Sequence, residues 1–339
     1  MYADQSVYSY PSRRAKIATV EHLNTPYSWS DPFGGEGTIN DLPPWRVVEW
    51  PELDSTNAAA HRWLNKPGEN SASNGHRLVF TTPHQTAGRG QQSRPWHGQR
   101  GMDMAMSVVL TDSLPSACPF ALNLAVSLAV LEGVEKAMPK LEGAPWEIKW
   151  PNDLMLRGKK AGGILIENSW RGHHWTSSVI GIGLNMGGRP PYPNATSLLD
   201  DTRNLECQLD ITRTHVLNQL NLRLAELNSP TILLQQYHER LLGWGQAQRW
   251  QLDGQEIRGI LESIDLQGKL CVLDASGQQC YAPGEVGWLG MEPSKRSQEV
   301  APDAGQFWPN FSSTWSAMCL NKDSNGFCAI IRMKGFKSA

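Results

Sequence analysis

The sequence predicts an α/β (α+β) fold followed by a small C-terminal β-barrel, and three observations support this. Residues 146–185 alternate apolar with polar or glycine residues at the period of two that is typical of strands. Residues 120–138 form an apolar run of helix length, and residues 212–227 carry Val and Leu at helical spacing. From about residue 246 the strand patterns become short and the turn signals dense, which favours a small barrel.

The composition excludes several classes of protein. The chain has 339 residues, 40% of them hydrophobic, and a net charge of −2. It can therefore bury a sizeable core and has no bulk attraction to nucleic acid or membrane. No apolar run is long enough to span a membrane, and no signal-peptide core opens the chain, so we expect a cytoplasmic location. The six cysteines show neither Cys-x-x-Cys pairs nor zinc-finger spacing, so neither a metal site nor a disulfide framework is expected.

Changes in composition divide the chain into four segments. Residues 1–44 are rich in Ser, Tyr, Pro and Gly, and we expect a loosely ordered arm with at most a short helix near residues 13–23. Residues 45–245 carry the strands and helices of the main domain. Residues 246–291 are expected to form the barrel, and residues 292–339 a poorly ordered tail.

The main domain is expected to begin with a strand, a helix and a second strand. Residues 46–50 resemble a strand, and the Asp, Ser and Thr residues at 54–56 are typical caps for the alanine-rich helix that follows. Residues 78–82 form the second predicted strand. A third follows at residues 104–110, with methionine, valine and leucine at positions 104, 106, 108 and 110 on one face and the small Ala105 and Ser107 on the other.

A long, basic, glycine-bearing loop spans residues 83–101. It has three arginines and no acidic residue. Backbone N–H groups and guanidinium groups in such a loop can bind phosphate oxygens, while Trp96 can cover an apolar or aromatic ligand. The loop lacks the Gly-Lys-Ser/Thr of a Walker A sequence and the third glycine of Gly-x-Gly-x-x-Gly. A plain solvated surface loop is the alternative interpretation.

The most informative stretch is the predicted strand meander at 146–185. Its pattern gathers Lys149, Asp153 and Lys160 on neighbouring strands. On the last strand, Gly181, Gly183 and Asn185 share the face opposite the apolar residues. Glycine inside a strand costs stability, so this face favours close approach by a ligand, with a tightly packed helix as the alternative.

In this order, the motifs resemble those of the biotin protein ligases over residues 45–291. The most specific pair is Lys-Trp-Pro-Asn-Asp at 149–153 with Lys-x-Gly-Gly-Ile-Leu at 160–165. The other matching segments are Asp54-Ser55-Thr56-Asn57, Gln85-Thr86-Ala87-Gly88-Arg89-Gly90 with Arg94 and Trp96, Gly181-Ile182-Gly183-Leu184-Asn185, and Pro283-Gly284-Glu285-Val286.

The resemblance implies a mixed-sheet catalytic core like that of class II aminoacyl-tRNA synthetases and lipoate ligases, followed by an SH3-like barrel. It implies that biotin and ATP form biotinoyl-5'-AMP. A lysine of the biotin carboxyl carrier protein of acetyl-CoA carboxylase, or of a similar biotin-dependent carboxylase, would then accept the biotinoyl group. The resemblance is also consistent with a homodimer through sheet edges.

The resemblance assigns expected roles to fifteen residues of this chain. The expected catalytic residues are Lys160, Arg89 and Asp153. The expected biotin-binding residues are Ser55, Thr56, Asn57, Gln85, Gly88, Arg89, Lys160, Gly163 and Gly183. The expected nucleotide-binding residues are Arg94, Trp96, Lys149, Asn152, Asp153 and Asn185. Asp153 is also expected to help hold Mg²⁺, which favours carboxylate and phosphate oxygens. No residue is assigned as the base for the acceptor lysine.

Two departures from the family pattern carry expectations. Many bacterial relatives have Gly-Arg-Gly-Arg-Arg-Gly-Arg-x-Trp in the basic loop, where this chain has Gln91, Gln92 and Ser93 in place of two charges and a glycine. We therefore expect weaker retention of the adenylate. The N-terminal helix-turn-helix of ligases that double as repressors is absent from this sequence, so we expect a monofunctional enzyme without operator binding.

Two other functions are alternatives to biotin ligation. A lipoate or octanoate ligase or transferase on the same core would share a lysine after a glycine-containing strand, but not the Lys-Trp-Pro-Asn-Asp segment or the barrel. A non-catalytic biotin-binding protein would be expected to lack Lys160 or Asp153. Both residues are present.

Overall fold

The computed structural model describes residues 45–65, 77–111, 118–141, 143–199 and 204–292, together with the backbone of three short strands before residue 45. In chain order the elements are β1 (Lys16–Val20), β2 (Ser28–Ser30), β3 (Glu36–Thr38), β4 (Trp45–Glu49), α1 (Thr56–Leu64), β5 (Leu78–Thr81), β6 (Met104–Leu110), α2 (Phe120–Ala137), β7 (Trp146–Lys149), β8 (Asp153–Leu156), β9 (Lys159–Arg171), β10 (His174–Leu184), α3 (Leu205–Ala225), α4 (Pro230–Glu239), β11 (Ala247–Leu252), β12 (Gln255–Ile264), β13 (Leu270–Asp274), β14 (Gly277–Tyr281) and β15 (Val286–Met291).

An eight-stranded mixed sheet forms the centre of the main domain, in the order β1-β4-β5-β6-β10-β9-β8-β7. Strands β4 and β5 are parallel, with α1 between them in the chain, and the other neighbours are antiparallel. Strands β7, β8 and β9 form the predicted meander. The mixed-sheet α/β core predicted from the sequence is confirmed.

Apolar residues on both faces of this sheet explain how it is covered. Met106, Ile180 and Leu184 belong to a core cluster that also includes the apolar residues of α2 and α3. On the opposite face Val48, Phe80 and Val179 pack with Ala60 and Trp63 of α1. Strand alternation thus separates two layers of core, one on each face. Among the described residues, no helix combines the length and the apolar character that crossing a membrane requires.

Two details of secondary structure differ from the sequence-based expectation. Helix α3 begins at Leu205, about two turns before the expected start at residue 212. Leu209 and Leu205 lie about one and two turns before residue 212 and both pack against the core, so the apolar spacing extends further toward the N-terminus than the predicted start. Residues 16–20, within the stretch for which at most a short helix was expected, instead form β1 and pair with β4. Strands β2 and β3, also within the predicted arm, pair with each other. The remaining residues of the predicted N-terminal arm, and the predicted tail after residue 292, lie outside the described residues.

Residues 247–291 form a five-stranded antiparallel sheet in the order β14-β13-β12-β11-β15. The predicted C-terminal β structure is confirmed; its closure into an SH3-like barrel and the four-segment division of the chain stay predictions. This sheet contacts the main domain through side chains. Trp150 Nε1 donates to the Gly268 carbonyl at 2.9 Å, and His238 Nε2 accepts from the Ile264 N–H at 2.8 Å.

Cys271 and Cys280 form a disulfide in the structure, which corrects the expectation drawn from cysteine spacing. They are directly opposite each other on β13 and β14. A search for Cys-x-x-Cys pairs does not detect a cross-strand pair of this kind, because its spacing depends on the length of the hairpin. Cys118 and Cys207 are the free cysteines among the residues that the structure describes.

Candidate functional site

A cleft of about 570 Å³ lies over the sheet, between the basic loop, the glycine face of β9 and β10, and the C-terminal sheet. This volume is typical of a site for a small organic ligand. Thirteen of the fifteen residues with predicted roles line the cleft; they are Ser55, Thr56, Asn57, Gln85, Arg89, Arg94, Trp96, Lys149, Asn152, Asp153, Lys160, Gly163 and Gly183. Gly88 and Asn185 do not line it.

Two lysines share one carboxylate at one end of the cleft. Lys149 at the end of β7 places Nζ 2.7 Å from Asp153 Oδ2, and Lys160 on β9 places Nζ 2.5 Å from Asp153 Oδ1. The Asp153 side chain is 16% exposed. Burial acts to raise the pKa of Asp153, but the charges and hydrogen bonds of Lys160 and Lys149 outweigh burial and hold that pKa below its usual range. The cluster therefore keeps a net positive charge facing the cleft.

The glycine face is in contact with Trp96. A Cβ on Gly183 would lie 2.5 Å from Trp96 Cζ2, whereas a Cβ on Gly163 would lie 3.4 Å from Trp96 Cζ3. Lys160 Nζ is 5.9 Å from the centre of the Trp96 ring, within reach of a cation–π interaction. The close approach predicted at these glycines is thus made by the indole from the basic loop.

Polar groups of α1 and its neighbours form one wall of the cleft. Ser55 caps α1, and its side chain accepts from the Ala58 N–H. The Thr56 N–H donates to Gln85 Oε1 at 2.9 Å, and Thr56 Oγ1 lies 3.2 Å from the same oxygen. The fully buried Ser107 of β6 places Oγ 2.7 Å from Thr56 Oγ1. This wall can offer both donors and acceptors to a polar heterocycle.

The basic loop folds back on itself between Gly88 and Trp96. The Trp96 N–H donates to the Gly88 carbonyl at 2.9 Å, and the Gly90 N–H donates to the Arg94 carbonyl at 2.7 Å. A Cβ on Gly88 would lie 2.6 Å from the Trp96 carbonyl oxygen, so the hairpin requires glycine there. Gly88 therefore shapes the loop and does not face the cleft.

The two asparagines with expected nucleotide roles are held by backbone groups. Asn152 Nδ2 donates to the Ile164 carbonyl while the residue still lines the cleft. Asn185 is buried, and its Nδ2 donates to the carbonyls of Lys160 at 3.3 Å and Thr196 at 3.2 Å. Strand β10 ends at Leu184, so the alternation that predicted a cleft-facing Asn185 no longer applies. In this geometry Asn185 ties neighbouring segments together behind the cleft.

The C-terminal sheet supplies a wall that sequence reasoning missed. Lys149 Nζ is 5.5 Å from the centre of the Trp288 ring on β15. Trp288 Nε1 donates to Gln248 Oε1 at 2.7 Å, and the buried Gln248 donates to the Gly243 carbonyl at 2.8 Å. No local motif marks Trp288, because its role depends on how the two sheets pack. The cleft is shared between the main domain and the C-terminal sheet.

The geometry therefore combines three chemical elements in one cavity. Lysines and arginines are gathered where anionic oxygens could bind, and a low-polarity surface of indole and glycine lies beside them. A wall of hydroxyl and amide groups faces them. Fixed cations in a partly enclosed cleft stabilise developing negative charge. Such a site suits a reaction that brings two anions together.

Comparisons with known proteins agree with this arrangement. A model of the biotin/lipoate A/B protein ligase family matches residues 51–185. The chain is 36% identical over 214 residues to the biotin–[acetyl-CoA-carboxylase] ligase of Mycobacterium tuberculosis, covering 59% of this chain and 74% of that protein. It is 39% identical over 138 residues to the bifunctional ligase/repressor BirA of Bacillus subtilis, covering 41% of this chain.

A solved structure supports the same fold. The biotin protein ligase from Aquifex aeolicus in complex with biotin and ATP has a TM-score of 0.56 and 22% sequence identity, covering 71% of this chain and 97% of that one. The chain spans about two fifths of the length of the Bacillus BirA proteins that it matches, 39% and 38%. The extensive match to the mycobacterial ligase and the family model together show that the chain belongs to the biotin/lipoate A/B protein ligase family, among the biotin protein ligases.

Proposed function

We propose that this chain activates biotin with ATP and transfers the biotinoyl group to a specific lysine of a biotin carboxyl carrier domain. The observation that carries the proposal is the Lys149–Asp153–Lys160 cluster in the cleft beneath Trp96. The name of the mycobacterial relative, which acts on acetyl-CoA carboxylase, supports a carboxylase as the source of the carrier. The proposed compartment is the cytoplasm, since the reaction consumes ATP. A homodimer through sheet edges stays a prediction.

In the first step, a carboxylate oxygen of biotin attacks the α-phosphorus of ATP. The bond from that phosphorus to the β-phosphate bridging oxygen breaks, and pyrophosphate leaves. Both reactants are anionic, so cations aimed at their oxygens lower the barrier. Lys160 and Arg89 are the proposed contacts of the carboxylate and α-phosphate, while Lys149 and Arg94 are proposed for the nucleotide. The hydroxyl and amide wall with Thr56, and beside it Ser55, is proposed to bind the ureido ring of biotin.

In the second step, the acceptor amine attacks the carbonyl carbon of biotinoyl-5'-AMP. The carbonyl carbon–oxygen bond to AMP breaks, an amide forms, and the amine nitrogen loses a proton. Water would hydrolyse the same mixed anhydride, so the intermediate must be shielded. The Trp96 indole already lies against the glycine face of β9 and β10, and we propose that it covers the intermediate. The base that takes the amine proton is left unassigned.

The geometry does not favour the expected Mg²⁺ contact at Asp153. Both carboxylate oxygens are already held by lysine ammonium groups at 2.7 and 2.5 Å. Among the described residues there is also no group of three or more His, Cys, Asp or Glu side chains that could hold a metal ion. We therefore treat Mg²⁺ as part of the MgATP substrate and give it no protein ligand.

Biotin-dependent ATP–pyrophosphate exchange tests the first step directly. We expect exchange with biotin and MgATP, and none without biotin. Lys160→Ala should reduce it by a factor of roughly 100 or more, because one charge at a reacting anion is worth about 3 kcal/mol. Lys159→Ala is the matched control, since Lys159 is the exposed neighbouring lysine and does not line the cleft.

Other acids distinguish the alternatives. Exchange supported by lipoate or octanoate in place of biotin would assign the chain to the sister activity. If no acid supports exchange, but calorimetry detects biotin binding, the chain is a binding protein and the proposal is wrong. Transfer is then tested by incubating the chain, biotin and MgATP with a carrier domain and detecting a biotinylated lysine by mass spectrometry.

A further inference from the structure

Glu167 lies behind the part of the cleft wall that holds Asn57 and Arg89. It belongs to β9, where Gly163, Leu165 and Glu167 alternate with apolar residues of the core. Gly163 and Leu165 pair with Gly183 and Gly181 of β10. Glu167 pairs with Val179, which packs with α1, so the Glu167 side chain lies on the face of the sheet that carries α1 and the glycines. Glu167 itself does not line the cleft, and its side chain is 33% exposed.

Three donor groups from two other segments converge on one oxygen of Glu167. Asn57 Nδ2 of α1 donates to Oε2 at 2.7 Å, and His61 Nε2, one turn further along α1, lies 3.1 Å from it. Arg89 Nη2 from the basic loop lies 4.0 Å from the same oxygen. Glu167 thus connects α1 and the loop to the sheet.

The contact with Glu167 sets the orientation of the Asn57 amide. Asn57 is 3% exposed, and its two amide ends meet different partners. Nδ2 faces Glu167, while Oδ1 lies 2.5 Å from the Ser107 hydroxyl. A Cβ on Gly181 would overlap the Asn57 amide, so the strand beneath leaves room for this arrangement. A carboxylate has two acceptor oxygens and no donor, so it can accept from several donors at once. An amide at the same position would also turn its own NH2 donor toward these donors.

We infer that Glu167 is a positioning residue, whose carboxylate holds the Arg89 guanidinium and the Asn57 amide at the cleft wall for biotin activation. The inference rests on the proposed function. Arg89 is 47% exposed in its side chain and sits on a loop, so a fixed anion limits the directions in which its guanidinium points. Glu167 acts through these two residues and does not touch the reacting atoms.

Two substitutions separate the charge from the hydrogen bond. Glu167→Gln keeps an acceptor oxygen for Asn57 but removes the charge that attracts Arg89, whereas Glu167→Ala removes both. We expect Glu167→Gln to lower kcat/KM for biotin in the exchange assay roughly threefold to fivefold, because an ion pair at 4.0 Å between partly exposed side chains is a weak contact. We expect a larger loss for Glu167→Ala. The melting temperatures of Glu167→Gln and the unsubstituted chain should agree.

The chain contains a matched control. Glu52 Oε2 also contacts a histidine and an arginine, with His84 Nδ1 at 3.0 Å and Arg100 Nη1 at 3.8 Å, and Glu52 does not line the cleft. Glu52→Gln removes the same kind of charge from a similar cluster elsewhere. We expect its kcat/KM for biotin to stay within twofold of the unsubstituted chain, as for a surface substitution.

A double-mutant cycle tests whether Glu167 acts through Arg89. In an Arg89→Ala background, Glu167→Gln should have no further effect on kcat/KM or on the Kd for biotin by calorimetry, whereas Glu167→Ala should still weaken both through Asn57. Equal effects of Glu167→Gln with and without Arg89 would overturn the inference, as would a Glu167→Gln variant as active as Glu52→Gln.

Biotin-dependent exchange by the unsubstituted chain distinguishes an incorrect role for Glu167 from an incorrect proposed function. If the unsubstituted chain shows no biotin-dependent exchange, the proposed function is wrong and the role of Glu167 is overturned with it. If the chain exchanges normally and Glu167→Gln does too, only the role of Glu167 is wrong.

Discussion

The indole of Trp96 lies against Gly183 so closely that a Cβ at position 183 would be 2.5 Å from Trp96 Cζ2 and 2.6 Å from Trp96 Cε2. Real Cβ atoms do not approach carbon atoms this closely, so the missing side chain on β10 creates the place where the loop residue rests. The contact places Trp96, the residue proposed to cover the adenylate, directly against strand β10.

Gly183→Ala is expected to displace Trp96 and reduce activity. Overpacking of this kind costs about 1–3 kcal/mol, unless the obstructing group moves. Trp96 is on a loop and can move, so we expect a small change in melting temperature and a fall in biotin-dependent exchange of roughly tenfold. Differential scanning fluorimetry and the exchange assay measure the two effects.

Gly163→Ala is the control for that substitution. Its Cβ would lie 3.4 Å from Trp96 Cζ3 and 3.6 Å from Lys160 Cε, which is close to ordinary contact distance. Gly163 lines the cleft and is itself an expected biotin-binding residue, so we expect this variant to lose some activity, but less than Gly183→Ala because Trp96 keeps its position. If Gly183→Ala were as active as Gly163→Ala, the position of Trp96 would not matter for the reaction.

Asp153→Asn is expected to lower the free energy of unfolding at pH 7 by about 1–3 kcal/mol, because two lysines lose their shared counter-charge. The folded-state pKa of Asp153 is depressed, so its contribution is complete above the ordinary carboxyl pKa of about 3.9 and is lost as pH falls through the lower folded value. Urea unfolding should give a constant difference between the unsubstituted chain and the variant from about pH 5 to 8. The difference should shrink below about pH 4; a difference that shrank near neutral pH would contradict the assignment.

His238 should make the packing of the C-terminal sheet sensitive to mild acid. Burial lowers the pKa of His238, although its contact with the Ile264 carbonyl acts in the opposite direction. The unfolded state therefore takes up a proton near pH 6.5 while the folded state does not, so stability falls as pH drops below about 6.5 toward the lower folded pKa.

His238→Gln tests this sign. Glutamine can accept from the Ile264 N–H without titrating. Between about pH 7.5 and 5.5 we expect the unsubstituted chain to lose more stability than His238→Gln, measured by urea unfolding. The exposed His173→Gln variant should behave like the unsubstituted chain. Parallel pH curves for all three proteins would exclude a contribution from His238.

Trp288 is expected to affect ATP through Lys149. A cation–π contact contributes about 0.5–2 kcal/mol, depending on how far it is shielded from water. Trp288→Leu should therefore raise the KM for ATP roughly threefold to tenfold in the exchange assay. Trp288→Phe keeps an aromatic face near the Lys149 ammonium and should have a smaller effect. Equal KM values for the two variants would assign the loss to packing alone.

Restoring charge to the basic loop should slow loss of the intermediate. Gln91 is exposed and lines the cleft, whereas the amide of Gln92 lies against Gly284, where a Cβ would be 2.6 Å from Gln92 Nε2. Gln91→Arg is therefore the cleaner substitution. We expect the off-rate of preformed biotinoyl-5'-AMP to fall severalfold at low salt, and the effect to weaken as salt screens the added charge.

Gln255→Arg provides the control for that change, because it adds the same charge at an exposed position on β12 outside the cleft. Its off-rate should match that of the unsubstituted chain. An unchanged off-rate in Gln91→Arg would show that the loop's missing charges do not govern retention.

Local patterns predicted the parts of the site that depend on strand alternation. Lys149, Asp153 and Lys160 were expected on neighbouring strands, and the structure places both lysine ammonium groups within 2.7 Å of the Asp153 carboxylate. The glycine face was expected to be approached closely, and Gly183 is. Both results follow from the period of two within one meander.

Contacts between distant segments could not be predicted in the same way. Nothing around Trp288 or His238 indicates which sheet each one faces, since that depends on packing between the main domain and the C-terminal strands. Asn185 was misplaced because alternation was extended past the last residue of β10. Glu167 could have been found, since it continues the alternation of Gly163 and Leu165 on the cleft side of β9.

Trp150 links the C-terminal sheet to the segment that carries Asp153, and this link restricts how the C-terminal sheet could be replaced. Its backbone leads directly into Asn152 and Asp153, while its indole donates to the Gly268 carbonyl in the turn between β12 and β13. A Cβ on Gly268 would overlap Phe120, so that turn is fitted to the main domain on a second side. The C-terminal sheet is therefore not an interchangeable module. Recombination that exchanged it for another β domain would have to preserve this turn, or the inherited lysine–aspartate cluster would lose one of its anchors.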